Sequence, residues 1–176
     1  SQTQSPFTGT MEVQDWGGEW WEYDITFAAQ SGPLARSVSA ALTALGSGRG
    51  LLLFADPSIL TKSLTQPITL VTPIAGGNVV QTQGWPHGLP AVASGDFISI
   101  GAGRDTRLHQ IAFDATADIN GFATLTIFPA IRTSLPANTR LEVNQPHVLL
   151  RPTGAVPTRI ERAARHNFTL SAREAI

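Results

Sequence analysis

Short runs of alternating apolar and polar residues, each stopped by glycine or proline, constrain this chain more than any other feature. In WWEYDITF, residues 20–27, Trp21, Tyr23, Ile25 and Phe27 alternate with Glu22, Asp24 and Thr26. Period two over that length specifies a strand with one buried face. The same grammar returns in ITLVT at 68–72, NVVQTQ at 78–83, GDFISIG from Gly95, RLHQIAF from Arg107, ATLTIF from Ala123, RLEVN at 140–144 and HVLLRP at 147–152, and RHNFTLSA near the end reads as a last strand. With 16 Gly and 12 Pro dividing these runs, the chain is expected to be mainly β.

One stretch breaks the pattern. In SGPLARSVSAALTALGSG, Ser31 stands where an N-cap belongs and Pro33 suits the first turn. Leu34, Val38, Ala41, Leu42 and Leu45 recur at helical spacing, and Gly46 suits the left-handed position past the end. The spacing predicts a single amphipathic helix of about three turns. LLLF at 51–54 follows as a buried strand that Asp56-Pro57 ends, and TMEVQDW is expected to form a hairpin with WWEYDITF through Gly17-Gly18. Asn120-Gly121 marks a second tight hairpin turn, of the kind preferred between twisted strands because both residues tolerate positive φ. The expected architecture is a β-sandwich with one amphipathic helix, from residues 1–57 and 151–176, and a small peripheral β-barrel or sandwich from residues 58–150.

The 176 residues allow one sizeable core with an excursion, not two large domains. Only 14% are charged, which is lean for the coat of a free monomer and leaves surface for a partner. A net charge of −1 provides no global attraction to nucleic acid or an anionic membrane. The charge is nevertheless polarised. Residues 1–30 carry Glu12, Asp15, Glu19, Glu22 and Asp24 without a single Lys or Arg, whereas residues 151–176 carry Arg151, Arg159, Arg162, Arg165 and Arg173 against Glu161 and Glu174. Opposite ends of opposite sign suit either pairing within the chain or a head-to-tail contact between copies, and in the latter case Arg162 and Arg165 are the cations expected at the seam. The absence of cysteine removes disulfides and thiolate metal sites. The N-terminal SQTQSPFTGTMEVQDW has no basic start followed by an apolar core, and no run approaches membrane-spanning length, so a soluble chain is expected.

Candidate chemistry is sparse. DATADING spaces Asp114, Thr116, Asp118 and Asn120 like a calcium loop, but Gly121 is eighth rather than sixth and no glutamate closes the loop at the twelfth position. GSGRG at 46–50 follows a helix and precedes a strand, the reverse of a phosphate loop, and GAGRD at 101–105 has no helix after it. His87, His109, His147 and His166 are scattered without paired spacing, and no GxSxG elbow occurs. Carboxylates are numerous only near the start of the chain, where Glu19 and Glu22 could neighbour one another, and a glycosidase would need such a pair across a cleft. No catalytic, metal or cofactor residue is assigned. In the block from Gly95 to Arg132, Asp96 and Asp118 are expected at turn starts, Arg104, Asp105 and Arg107 on a solvated loop, and Arg132 where the chain leaves the sheet after Pro129.

The order PFTGTMEVQDWGGEWWEYDITF, a helix ending ALTALGSGRGLLLFADP, VVQTQGWP, GDFISIG, Leu108, DATAD, Gly121 and ATLTIFPAIR resembles tailed-bacteriophage tail proteins of the distal-tail or minor-tail (baseplate) type. The resemblance runs from Pro6 to Leu150 and stops short of the segment after Arg151. It implies a virion structural protein, made in the host cytoplasm, forming a homo-oligomeric, commonly hexameric, ring that joins the tail tube protein to the baseplate hub and other tail-tip proteins. It implies no enzyme activity, cofactor, direct nucleic-acid binding or membrane insertion. The alternatives are a tail connector or terminator subunit, a host-surface carbohydrate-binding module working through Trp85 and His87, and a wall-degrading hydrolase.

Overall fold

A computed structural model describes residues 2–4, 11–13, 19–46, 49–59, 62–154, 158–161 and 165–175. In chain order the elements are β1 (Gln2–Gln4), β2 (Met11–Val13), β3 (Glu22–Gln30), α1 (Gly32–Leu45), β4 (Leu52–Phe54), β5 (Ile68–Leu70), β6 (Gly77–Gln83), β7 (Pro90–Val92) and β8 (Phe97–Ile100). There follow β9 (Arg107–Ile111), β10 (Ala115–Thr116), β11 (Phe122–Ile131), β12 (Arg140–Glu142), β13 (Val148–Pro152), β14 (Thr158–Glu161) and β15 (Arg165–Glu174). Among the described residues the protein is mainly β, with one α-helix, several sheets and a closed barrel of six strands.

The barrel runs in the order β11-β6-β5-β12-β8-β9, every pair antiparallel, and closes where Ile127 and Phe128 of β11 meet Ile111 and Gln110 of β9. Alternation explains its interior: along β11, Ala123, Leu125 and Ile127 are buried between more exposed neighbours, and they pack with Ile68, Val80 and Ile98. Closure removes the sheet edges that so many short strands would otherwise expose. The buried polar group inside is satisfied: the Thr82 hydroxyl donates to the Ala123 carbonyl at 2.8 Å and accepts from the Trp85 indole at 2.8 Å.

The second unit is an open sheet in the order β14-β15-β13-β4, with β3 along the other side of β15. Tyr23, Ile25 and Phe27 of β3 lie beside Ala172, Leu170 and Phe168 of β15, all on the face against which Val38, Leu42 and Leu45 of α1 pack. The opposite face is polar, carrying Glu22, Asp24, Ser171 and Arg173. Helix α1 starts at Ser31 in extended backbone with Pro33 in its first turn, although the Ser31 hydroxyl makes no capping bond, and it ends at Gly46 with φ 59°.

Three pairings differ from expectation. Met11–Val13 pairs with Gln2–Gln4 instead of forming a hairpin with the tryptophan strand, and Gly17-Gly18 lies outside the described residues. The partner of that strand is β15, from the other end of the chain, because a ten-residue strand of matching alternation covers far more of its length than three residues can. Val148–Leu150 pairs with Phe54–Leu52, so the expected boundary at 151 falls inside a strand of the open sheet. The DATADING turn is not the two-residue form: Asn120 keeps negative φ and only Gly121 is positive, at 80°. The Gly121 amide donates to the Asp118 carbonyl and the Asp118 amide to that of Phe122, at 3.1 and 2.8 Å, a type I turn closed by a glycine bulge.

Gly121 is fixed by more than its φ, since a Cβ there would stand 2.6 Å from the Trp85 carbonyl oxygen. Gly121→Ala is therefore expected to cost at least about 1–3 kcal/mol, for left-handed strain plus displacement of the Trp85 backbone. Urea unfolding monitored by tryptophan fluorescence checks this, and an unchanged midpoint contradicts it.

Candidate functional site

The barrel and the open sheet are joined through Trp21, at the head of β3. Its indole N–H donates to the Leu108 carbonyl of β9 at 2.9 Å, and its ring meets Phe97 of β8 edge-on at 5.4 Å. Leu108 itself packs into the core under the open sheet. Glu174 completes the joint from β15: its carboxylate accepts the backbone amides of Trp21 and Leu108, each at 3.4 Å, and its own amide donates to the Trp21 carbonyl at 2.8 Å. One buried carboxylate thus ties a strand from each unit. Burial pushes its pKa up, opposed by those two amides and by Arg107 and Arg132.

A cleft of about 380 Å³ opens beside this joint, with Glu174, His109 and Leu108 among its lining and Arg107, Arg132, Glu19 and Asp105 also contributing. His109 is buried, and burial lowers its pKa to about 4, with Arg107 and Arg132 acting the same way and the Pro129 carbonyl acting against. The imidazole is accordingly neutral near pH 7. Its Nδ1 lies 2.7 Å from the Pro129 carbonyl oxygen, which only accepts, so Nδ1 carries the proton. Glu174 spends its oxygens on backbone amides and His109 its N–H on a backbone carbonyl, so neither residue orients the other. Both side chains are thus held by backbone groups and do not form a base-and-orienter pair with each other.

The residues singled out in the sequence fall in separate places. Asp118 accepts the amides of Asn120 and Phe122 at 2.8 and 2.9 Å, and the Phe122 bond is the main reason its pKa is lowered. Asp114 accepts the Ser94 amide at 2.7 Å, so these carboxylates cap turns. Asp96 accepts the Ala93 amide and pairs with Lys62, both at 2.8 Å. Arg107 opens β9 and is half-buried, its guanidinium donating to the Arg104 and Thr106 carbonyls, and Arg132 donates to the Glu19 carbonyl. The Glu22 carboxylate takes the Trp20 indole N–H at 2.9 Å, while Glu19 lies at the cleft. His87 is exposed, His147 donates its amide to Ser99 Oγ at 3.1 Å, and His166 stacks on Phe168. Among the described residues, no three His, Cys, Asp or Glu side chains gather as a metal site would require. Gly101, with φ 94°, would place a Cβ 2.4 Å from the Asp105 carbonyl oxygen, which makes GAGRD a tight turn. Trp85, on which the alternative of a sugar platform rested, is 1% exposed inside the barrel.

The two ends of the chain lie side by side: Glu22 stands opposite Arg173 with no ion pair between them, and the Ser171 hydroxyl donates to Asp24 at 2.6 Å. Arg162 and the side chain of Arg165 lie outside the described residues. What sequence reasoning missed is the joint. Its signal was present, because Phe168, Leu170, Ala172 and Glu174 form one alternating row in which the last position is an acid.

Three strands of the open sheet lack a partner on their outer sides among the described residues: β3 along one side of β15, and β4 and β14 on the other. The Trp21 carbonyl faces β15, so alternation turns the backbone N–H and C=O of Glu22, Asp24 and Thr26 outward. On β13 the Leu149 carbonyl accepts the Ala175 amide, so Val148 and Leu150 face β4 and Leu53 turns its backbone outward. The Leu53 side chain is 49% exposed as well. No protein-family model matches the chain, and no curated protein matches it closely.

Because His109 has a folded pKa below its unfolded value, the neutral form stabilises the fold above about pH 6.5, and that contribution is lost as pH falls toward 4. Glu174, with its pKa raised, runs the opposite way and loses stability as pH rises through its folded value. Between pH 7 and 5, His109→Gln is expected to flatten the fall in stability by up to about 1.4 kcal/mol per pH unit. Chemical denaturation across that range tests it, and a variant whose profile parallels the native one refutes the assignment.

Proposed function

We propose that this chain is a structural subunit of a tailed-bacteriophage tail, assembled head to tail into a ring at the distal tip that joins the tail tube to the baseplate hub and fibres, with six copies the expected number. The observation that carries the reading is the open sheet with unlike free edges on its two sides, β3 on one and the short strands β4 and β14 on the other. An unpaired edge is a template for another strand, and proteins that do not use their edges cover or blunt them. Here the long edge of β3 and the short edge of β4 lie on opposite sides of one sheet. Joining β3 of one copy to β4 of the next satisfies both, and repeating that heterologous contact closes a ring when the rotation allows. The sequence resemblance supplies the setting of the ring. The barrel, outside the sheet and with its own edges closed, is the part that faces partners at the periphery.

Thr26→Pro tests this without disturbing the monomer. The Thr26 N–H points to the free edge and its side chain lies on the polar face, so proline removes an edge donor while the β15 ladder is kept. Native mass spectrometry is expected to show closed rings for the native chain and mainly monomer for the variant, with melting temperatures close together. A native chain that stays monomeric at every concentration and with tail tube protein added, or a Thr26→Pro ring as abundant as the native one, contradicts the proposal.

A further inference from the structure

We propose that Arg151 and Arg173 form a clamp for a carboxylate group presented by a partner polypeptide, on the polar face of the open sheet. The two arginines stand directly opposite each other across the β13–β15 ladder, and both are exposed. Directly opposed side chains in an antiparallel pair have Cβ atoms about 5 Å apart, and like charges placed so are destabilising. The arrangement lacks the relief that usually accompanies it. Among the described residues, no ion pair or hydrogen bond reaches either guanidinium. Glu22, the acid in register with Arg173, gives its carboxylate to the Trp20 indole instead.

Beside the pair lies a cavity of about 220 Å³ lined by Trp20, Arg151, Arg173 and Glu174. Trp20 is 44% exposed and supplies an apolar wall at its side. Guanidinium groups so placed offer parallel donors matched to the two oxygens of a carboxylate. The local charge selects among anions. Glu22, in register with Arg173, lowers the local positive charge without bonding either guanidinium, which disfavours phosphate dianions and a nucleic-acid backbone. A single carboxylate with an apolar neighbour to lie on Trp20 is the group it fits. The site concerns the face of the sheet and not its edges, so it stands independently of ring formation and is measured on the monomeric fraction.

The probe is the tetrapeptide acetyl-Trp-Glu-Glu-Ala-amide, titrated by calorimetry alongside its Gln-Gln counterpart and inorganic phosphate at matched ionic strength. Binding of the acidic peptide alone is expected, with Arg151→Gln and Arg173→Gln each lowering affinity at least about tenfold and Arg173→Lys losing part of it. Because the opposed charges strain the empty site, Arg151→Gln is also expected to raise the melting temperature of the free protein, by about 1–4 °C. Equal binding of the two peptides, affinity unchanged in both glutamine variants, a lower melting temperature for Arg151→Gln, or phosphate competing at equal concentration each overturns the assignment.

Discussion

The antiparallel ladder between β3 and β15 is the contact on which the rest of the structure depends. It brings residues 22–30 against residues 165–174 and forms the apolar face that α1 covers. It also sets Trp21 beside Glu174, where both reach Leu108 of the barrel. Everything between those two strands is an excursion from them, and the barrel is the largest part of it. Remove the ladder and the helix loses its platform, the joint loses its carboxylate, and β4 and β13 are left as a short pair. A contact of such long sequence separation carries a large closure cost, which its length and continuous apolar row offset.

The two units solve the same problem in opposite ways. In the barrel, six strands close on themselves and leave no edge. In the sheet, β15 is covered on both sides while β3, β4 and β14 stay open among the described residues. A chain able to close one sheet but leaving another open has, on this account, an intermolecular use for the open one. The polar face adds a second feature, two facing arginines whose guanidiniums no acid bonds among the described residues. Edges and face are the surfaces that the two proposals assign to other chains.

Much of the local structure was legible from the residues. Tyr23, Ile25 and Phe27 announced a half-buried strand, Pro33 and Gly46 bracketed the helix, and Leu125 and Ile127 marked inward positions of β11. Partner choice was not legible, because alternation fixes which face of a strand is buried and says nothing of which strand lies beside it. So Met11–Val13 was placed against the wrong neighbour, and Val148–Leu150 on the wrong side of a boundary. Trp85 looked like a loop aromatic between Gly84 and Pro86, yet its indole N–H found Thr82 inside the barrel. Glu174 was hidden for the opposite reason: it reads as one more charge in a basic tail until its place in the row of Phe168, Leu170 and Ala172 is counted.

Hydrogen–deuterium exchange at residues 22–30 tests the central claim most directly, because that claim concerns the outward amides of Glu22, Asp24 and Thr26. In the assembled protein these amides are predicted to become protected relative to the monomer, while the barrel hairpin at 97–111 exchanges alike in both. A closed ring whose β3 amides exchange as fast as those of the monomer would mean that copies meet somewhere other than the sheet edge.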